Sequence, residues 1–177
     1  AQALGYAERN PEADVEGYDA CRKIAILSSL AFDKQVDYQD IYTEGITKIT
    51  TADIRYAKAL GMTIKLLAYS RKVEGHYFAM VAPFLLGPND PLYSVNGVFN
   101  AIFVHGNVLG DAMFYGSGAG KLPTASAVVA DVVDEVMHQG ETIPVYWGEE
   151  KLTLDDLNDS RRRFLVRVKG DAVSDLA

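Results

Sequence analysis

Residues 61–115 carry four β-type runs in succession, and this constrains what the chain can fold into more than any other feature. Residues 63–69 (TIKLLAY) and 76–83 (HYFAMVAP) flank RKVEG, the pattern of an antiparallel connection. Residues 98–105 (VFNAIFVH) and 111–115 (DAMFY) follow, joined by a glycine-bounded loop over 106–110. Between the two pairs, 87–90 reads as a turn and 91–95 as a short helical turn. Helical segments stand on both sides. Thr50-Thr51-Ala52-Asp53 opens one with a hydroxyl cap and an acidic first turn. That helix carries Ile54, Ala57 and Leu60 on one face and stops at Gly61. Residues 33–45 read as loop and helical turns anchored by Tyr38, Ile41 and Tyr42. Helices, then strands, then a helix predict an α+β fold with a single mixed or antiparallel sheet of about four to five strands, covered by helices on one face.

Chemistry concentrates before that sheet. Glu8 and Asp14 fall in a turn-rich loop marked by Asn10-Pro11 and ending near Gly17, and a helix is predicted over about 17–31. On it Asp19 and Lys23 are four apart, so one lies a turn above the other on the same face. The following IAILSSLAF is almost wholly apolar and predicts burial, which puts Lys23 at the edge of a core. A lysine in such a setting can exchange a proton near neutral pH, because burial disfavours its charged form while carboxylates favour it. The same spacing is also ordinary on exposed helices, where such a pair contributes a few tenths of a kcal/mol. Spacing alone leaves both readings open.

A second glycine-rich segment, GSGAGKLPTASAVVADVVDEVMHQG, covers 116–140. A turn enters a helix bearing Val128, Val129, Val132, Val133 and Val136, with Gly140 at its end and Thr124 as the expected cap. Such a turn can present backbone N–H groups to an anion or a flat ring, or it can be a tight strand-to-helix connection. It is not a P-loop: Tyr115 stands where GxxxxGK[ST] needs glycine, and Leu122 where it needs Ser or Thr.

Composition excludes several classes. A net charge of −7 argues against nucleic acid or an anionic membrane as the main partner. The longest apolar run, 77–86, is far short of the ~20 residues of a spanning helix, and the first residues lack the basic-then-apolar pattern of a secretory leader. The single cysteine, Cys21, suits a reducing, cytoplasmic setting. His76, His105 and His138 are scattered without ligand spacing and read as surface or strand-end residues, so no metal is expected. Lys65 alternates with Ile64 and Leu66, which makes it a solvent-face or interface lysine. At the end, 142–147 is apolar enough to be expected to pack on the body, KLTLDDLNDS reads as a charged linker, and 160–170 (SRRRFLVRVKG) alternates like a strand.

G-Y-A-E-x-N-P-x-x-D-V-x-G-x-D-x-x-R-K over residues 5–23 closely resembles the signature of homoserine dehydrogenases, and G-x-G-A-G-x-x-P-T-A-S-A-V-V-A-D over 116–131 is similar to their second signature. Residues 44–46 (E-G-I), 61–68 (G-x-x-I-K-L-L-A) and 91–101 fit the same family. The resemblance implies an oxidoreductase of threonine and methionine biosynthesis that interconverts L-homoserine and L-aspartate 4-semialdehyde with NADP or NAD. It implies Lys23 as the acid/base, Asp19 as its or the substrate's orienter, and Tyr6, Glu8 and Asp14 as substrate-binding residues. Gly118 and Gly120 would lie by the cofactor. The physical reading agrees: carboxylates suit the substrate's ammonium group, and alcohol oxidation needs a base for the hydroxyl proton. It further implies a homodimer formed through the sheet, residues 1–150 as the catalytic domain, and 151–177 as a linker and possible start of an ACT-like regulatory domain. AQALGY reads as the end of a helix, and no strand with G-x-G-x-x-G stands before it. Under the resemblance the nucleotide-binding half then lies outside this chain. The chain alone is expected to be inactive, a module for substrate binding and dimerisation.

Overall fold

In the hairpin at the centre of the fold, Glu74 and Gly75 both take positive φ (51° and 88°), the backbone of a primed two-residue turn whose twist matches antiparallel strands. It joins β2 (Thr63–Val73) to β3 (His76–Leu86), paired without a break from Val73↔His76 to Thr63↔Leu86. A computed structural model describes residues 10–142 and 144–168. Ahead of the hairpin come α1 (Glu12–Val15), α2 (Tyr18–Phe32), a 3₁₀ turn (Tyr38–Asp40), β1 (Tyr42–Thr43) and α3 (Thr51–Ala59). After it come β4 (Phe99–Gly106), β5 (Gly110–Ser117), α4 (Lys121–Met137) and a 3₁₀ turn (Leu157–Asp159).

The α+β class is as expected, but the strands form two sheets instead of one. β1 pairs in parallel with β3 at Tyr42↔Met80 and Thr43↔Val81, giving a three-stranded sheet in the order β1-β3-β2. β4 and β5 pair antiparallel as a separate two-stranded sheet. β1 takes only Met80 and Val81 of β3 and the outer edge of β2 stays open, so the break comes from the connection: residues 87–98 fold into proline-punctuated turns between the two hairpins.

The core lies between α2 and the hairpin. Cys21 and Ala25 of α2 meet Ala79 and Val81 of β3, with Val36, Ile41 and Leu152 closing the cluster. The spacing of Cys21, Ala25, Ser28 and Ser29 puts small side chains on one helical stripe, so the helix lies close to the sheet. Ser29 Oγ donates to Ala25 O (2.8 Å) and accepts from Val36 N–H (3.0 Å), which leaves its hydroxyl satisfied inside the core. Val81 is fully covered, a burial worth roughly 1.5–3 kcal/mol. The expected burial of IAILSSLAF holds for this stripe only. Ile26, Leu27 and Leu30 are exposed, because a helix packed on one sheet hides one side.

Several local expectations need correction. Asp14 lies in α1, not in a loop. α3 starts as predicted, with a reciprocal capping box between Thr50 and Asp53, yet it buries Asp53 and Ala57 while Ile54 and Leu60 stay exposed. Thr124 does not cap α4: Gly120 is the N-cap residue, and Thr124 sits a turn inside, its N–H donating to Gly120 O. None of α4's valines is buried. Residues 151–159 are no free linker. Leu152 enters the core, Leu152 N–H donates to Gln35 O, and Asp155 N–H donates to Tyr77 O. The alternation over 160–168 yields no regular element, and 169 and 170 lie outside the described residues. No helix among the described residues is long and apolar enough to cross a membrane.

Candidate functional site

α1 and α2 meet at a sharp junction built by the sequence NPEADVEG. Asn10 Oδ1 accepts the Glu12 N–H (3.3 Å), while Pro11 O accepts the N–H groups of Asp14 and Val15 and starts α1. Gly17 then takes φ +79°, the left-handed conformation that ends α1 and lets α2 begin in a new direction. Added bulk at Gly17 would meet Val81 Cγ1 at 2.9 Å, so the junction rests directly on β3.

On the first turns of α2, Lys23 Nζ lies 2.6 Å from Asp19 Oδ2, the four-residue geometry expected from spacing. Burial is where the expectation fails: the side chains are 70% and 47% exposed, so in this chain Lys23 faces solvent instead of a core edge. Asp14 on α1 is also exposed. The fold thus brings Asp14, Asp19 and Lys23 onto two adjoining helices that pack on each other. Tyr6 and Glu8 lie outside the described residues. An exposed ammonium beside carboxylates can bind and orient a zwitterion, but acid/base chemistry coupled to hydride transfer needs water excluded.

Of two shallow clefts, one is lined in part by α2, and neither is lined by this trio. One of about 200 Å³ is lined by Tyr18, Cys21, Arg22, Tyr38, Gln39 and Thr43. The other, about 330 Å³, lies between residues 35–38 and Lys151.

Gly118 and Gly120 stand elsewhere, at the β5–α4 junction. A Cβ at Gly118 would meet the side chain of Asn100, so Gly118 packs close against β4. Gly120 has φ +114° and opens α4 with no side-chain cap and no acidic residue in the first turn. The backbone N–H groups and positive end of α4 are therefore free of a competing carboxylate, which fits the anionic part of a dinucleotide.

Sequence reading missed a set of groups that shape the surroundings. Tyr42 hydroxyl donates to Glu44 Oε2 (2.9 Å), and that bond holds the phenol's pKa above its ordinary value. Lys65 is not a free solvent-face lysine: it donates to Val95 O and to Asn96 Oδ1 (2.6 Å) and so ties down the link after β3. Arg167 reaches back from the chain's end to Asp53 Oδ1 and Oδ2, both at 2.7 Å. Asp53's pKa falls below the ordinary carboxylate value, chiefly through hydrogen bonds from Thr50's hydroxyl and N–H, with Arg167 adding to it. The short spacings of Tyr42–Glu44 and Thr50–Asp53 carried a signal, whereas Lys65 with Val95 and Asn96, and Arg167 with Asp53, join residues far apart in sequence. Among the described residues no group of three or more His, Cys, Asp or Glu is placed to hold a metal.

Known proteins with this pattern are consistent. A family model described as homoserine dehydrogenase matches residues 1–133. The homoserine dehydrogenase of Pseudomonas aeruginosa is 50% identical over 136 residues, covering 77% of this chain and 31% of that protein. Among solved structures, a homoserine dehydrogenase from Thiobacillus denitrificans superposes with a TM-score of 0.73 at 43% identity, over 82% of this chain and 35% of that one. A hyperthermophilic archaeal homoserine dehydrogenase in complex with NADPH gives a TM-score of 0.61 at 27% identity, over 82% of this chain and 40% of that one. The chain spans 31% of the length of the curated relatives it matches.

Proposed function

The chain belongs to the homoserine dehydrogenase family, and on that premise we propose that it forms the substrate-binding and catalytic part of an NAD(P)-dependent homoserine dehydrogenase. The reaction is the interconversion of L-homoserine and L-aspartate 4-semialdehyde, in threonine and methionine biosynthesis and in the cytoplasm. The observation that supports it most directly is the Lys23–Asp19 pair at 2.6 Å, with Asp14 on the adjoining helix.

In the oxidative direction Lys23 Nζ takes the hydroxyl proton of homoserine; in the reductive direction it returns that proton to the carbonyl oxygen. Asp19 holds Nζ in place from one turn away. Glu8 and Asp14 accept hydrogen bonds from the substrate ammonium, with Tyr6 beside them. A bound NADP or NAD supplies the hydride acceptor, or donor in reverse, and the start of α4 at Gly118 and Gly120 would hold part of it. Because Lys23 and Asp19 are open to solvent here, the cover that excludes water comes from the rest of the enzyme. The same reading sets 1–150 as the catalytic domain and lets 151–177 lead into an ACT-like regulatory unit, which the contacts of 151–159 with β3 would tie to the body.

The experiment is Lys23→Ala in the complete enzyme. Turnover of homoserine should fall by ~10²–10³-fold with homoserine binding retained. Turnover within about threefold of wild type, with only stability reduced, would overturn the assignment of Lys23.

A second reading concerns assembly. Phe99, Ile102, Val104, Met113, Phe114 and Tyr115 of the β4–β5 sheet are all exposed. In register Phe99, Met113 and Tyr115 share one face and Ile102, Val104 and Phe114 the other; apolar faces left open in this way mark protein contacts, and we assign the Phe114 face to a second copy of the chain, as a homodimer.

A further inference from the structure

We propose that Gly45 is a positioning residue for substrate binding: its missing side chain is the seat on which α1, and with it Asp14, is set against the Asp19–Lys23 pair of α2. The inference rests on the site reading above and adds to it a residue that touches no reactant.

The geometry is a chain of fixed contacts running outward from the core. Val81 of β3 is fully covered, and its carbonyl accepts the N–H of Glu44 (2.8 Å), which extends the parallel pairing of β1 by one step. Residues 44–46 are thereby fixed to the sheet. From that fixed segment, Ile46 N–H donates to Val15 O (2.8 Å), the last carbonyl of α1. A helix end leaves its final carbonyls without partners inside the helix, so this bond from outside fixes how the end of α1 lies. Gly45 makes the approach possible. A Cβ built there would fall 2.2 Å from Val15 O, 2.5 Å from Glu16 Cα and 2.9 Å from Glu16 Oε2. The first two are backbone atoms and cannot rotate away.

A side chain at 45 must therefore push α1 off its seat, since β1 and β3 hold the other side. Asp14 is the residue before Val15, so it moves with the carbonyl that is displaced. Asp19 and Lys23 do not move with it, because α2 is locked separately through Cys21 and Ala25 in the core. Gly17 lies on the far side of the same junction, against Val81 and Thr43. Its positive φ makes any substitution there strained for a second reason. Gly45 is outside that region of backbone conformation, so Gly45→Ala tests contact alone.

The test compares Gly45→Ala, Asp14→Asn, Lys23→Ala and the double variant Gly45→Ala/Asp14→Asn in the complete enzyme. Gly87→Ala is the control, since nothing lies within 4 Å of a Cβ at Gly87. Gly45→Ala should lower kcat/KM for homoserine about tenfold or more, chiefly through KM, with KM for the dinucleotide within about twofold. In the Asp14→Asn background the same change should cost less than about threefold, because residues acting through one another are not additive. A general loss of fold would instead depress both substrates' parameters and remain additive. Homoserine kinetics unchanged in Gly45→Ala, or a full additive loss in the double variant, overturns the inference while damage in Asp14→Asn and Lys23→Ala leaves the site reading standing. Unchanged homoserine kinetics in Asp14→Asn and Lys23→Ala would defeat both. Should Gly45→Ala not fold, amide exchange on the wild-type enzyme decides. Saturating homoserine should slow exchange of the Ile46 N–H about tenfold while the Gly61 turn is unaffected, and no change at Ile46 counts against the seat.

Discussion

His76 begins β3, and its Nδ1 lies 2.8 Å from Asp155 Oδ1, while the other oxygen of Asp155 accepts the N–H of Tyr77 (2.7 Å). The hydrogen bond to Asp155, then its charge, raises the histidine's pKa above 6.5. The bond from His76, then that from Tyr77 N–H, lowers the carboxylate's below 3.8. Stability from the histidine is complete below 6.5 and is lost as pH rises through its raised value. Stability from the carboxylate is complete above 3.8 and is lost as pH falls through its lowered value. The pair therefore contributes most between 3.8 and 6.5. His76→Ala should lower the urea midpoint at about pH 5.5 and much less at about pH 9. An equal loss at both would show that the charge plays no part. Single residues of this kind were only half legible in sequence. The strand-end place of His76 follows from alternation, but its partner is far along the chain in a segment whose charges read as solvated. Asp19 and Lys23 show the complement: helical spacing fixed the pair, while its exposure depended on which stripe of α2 met the sheet.

Elements with a local chemical start were the most legible. Thr50 Oγ accepts the Asp53 N–H, and Asp53 Oδ2 accepts the Thr50 N–H (2.8 Å), so α3 begins where TTAD said it would. The turn glycines placed β2, β3, β4 and β5 for the same reason, since 74–75 and 106–110 can close hairpins within a few residues. α4 was legible in extent but not at its start. Gly120, which offers no side chain, holds the cap position that a hydroxyl at Thr124 suggested, because the chain must turn sharply out of β5 past Asn100. The capping box of α3 has a measurable consequence. Thr50→Ala removes its hydroxyl half, together with a bond from Arg167 (2.8 Å), and should destabilise the protein by about 1 kcal/mol in urea unfolding. Thr50→Ser should restore most of it. A Thr50→Ala variant within about 0.3 kcal/mol of wild type would mean that Arg167 and Asp53 hold the helix start unaided.

At the scale of the whole molecule the apolar residues separate into two populations. Those of α2, β2 and β3 close a core with Leu152, whereas no residue of β4, β5 or α4 is buried. Sequence patterning could not divide them, because alternation in a strand marks a face to be covered without saying by what. A single sheet would have covered both hairpins at once, and the separate β4–β5 sheet leaves its faces to another surface. Phe114, 68% exposed and opposite Ile102 in register, is the most open aromatic of that sheet. The chain should therefore associate, with an apparent mass in light scattering that rises toward a dimer at about 100 μM. Phe114→Lys should shift that association to higher concentration without lowering Tm, since the side chain supports nothing in the core. A sharp monomer at the highest concentration reached would remove the second copy as the occupant of this face. Association untouched by Phe114→Lys would move the contact to the valines of α4.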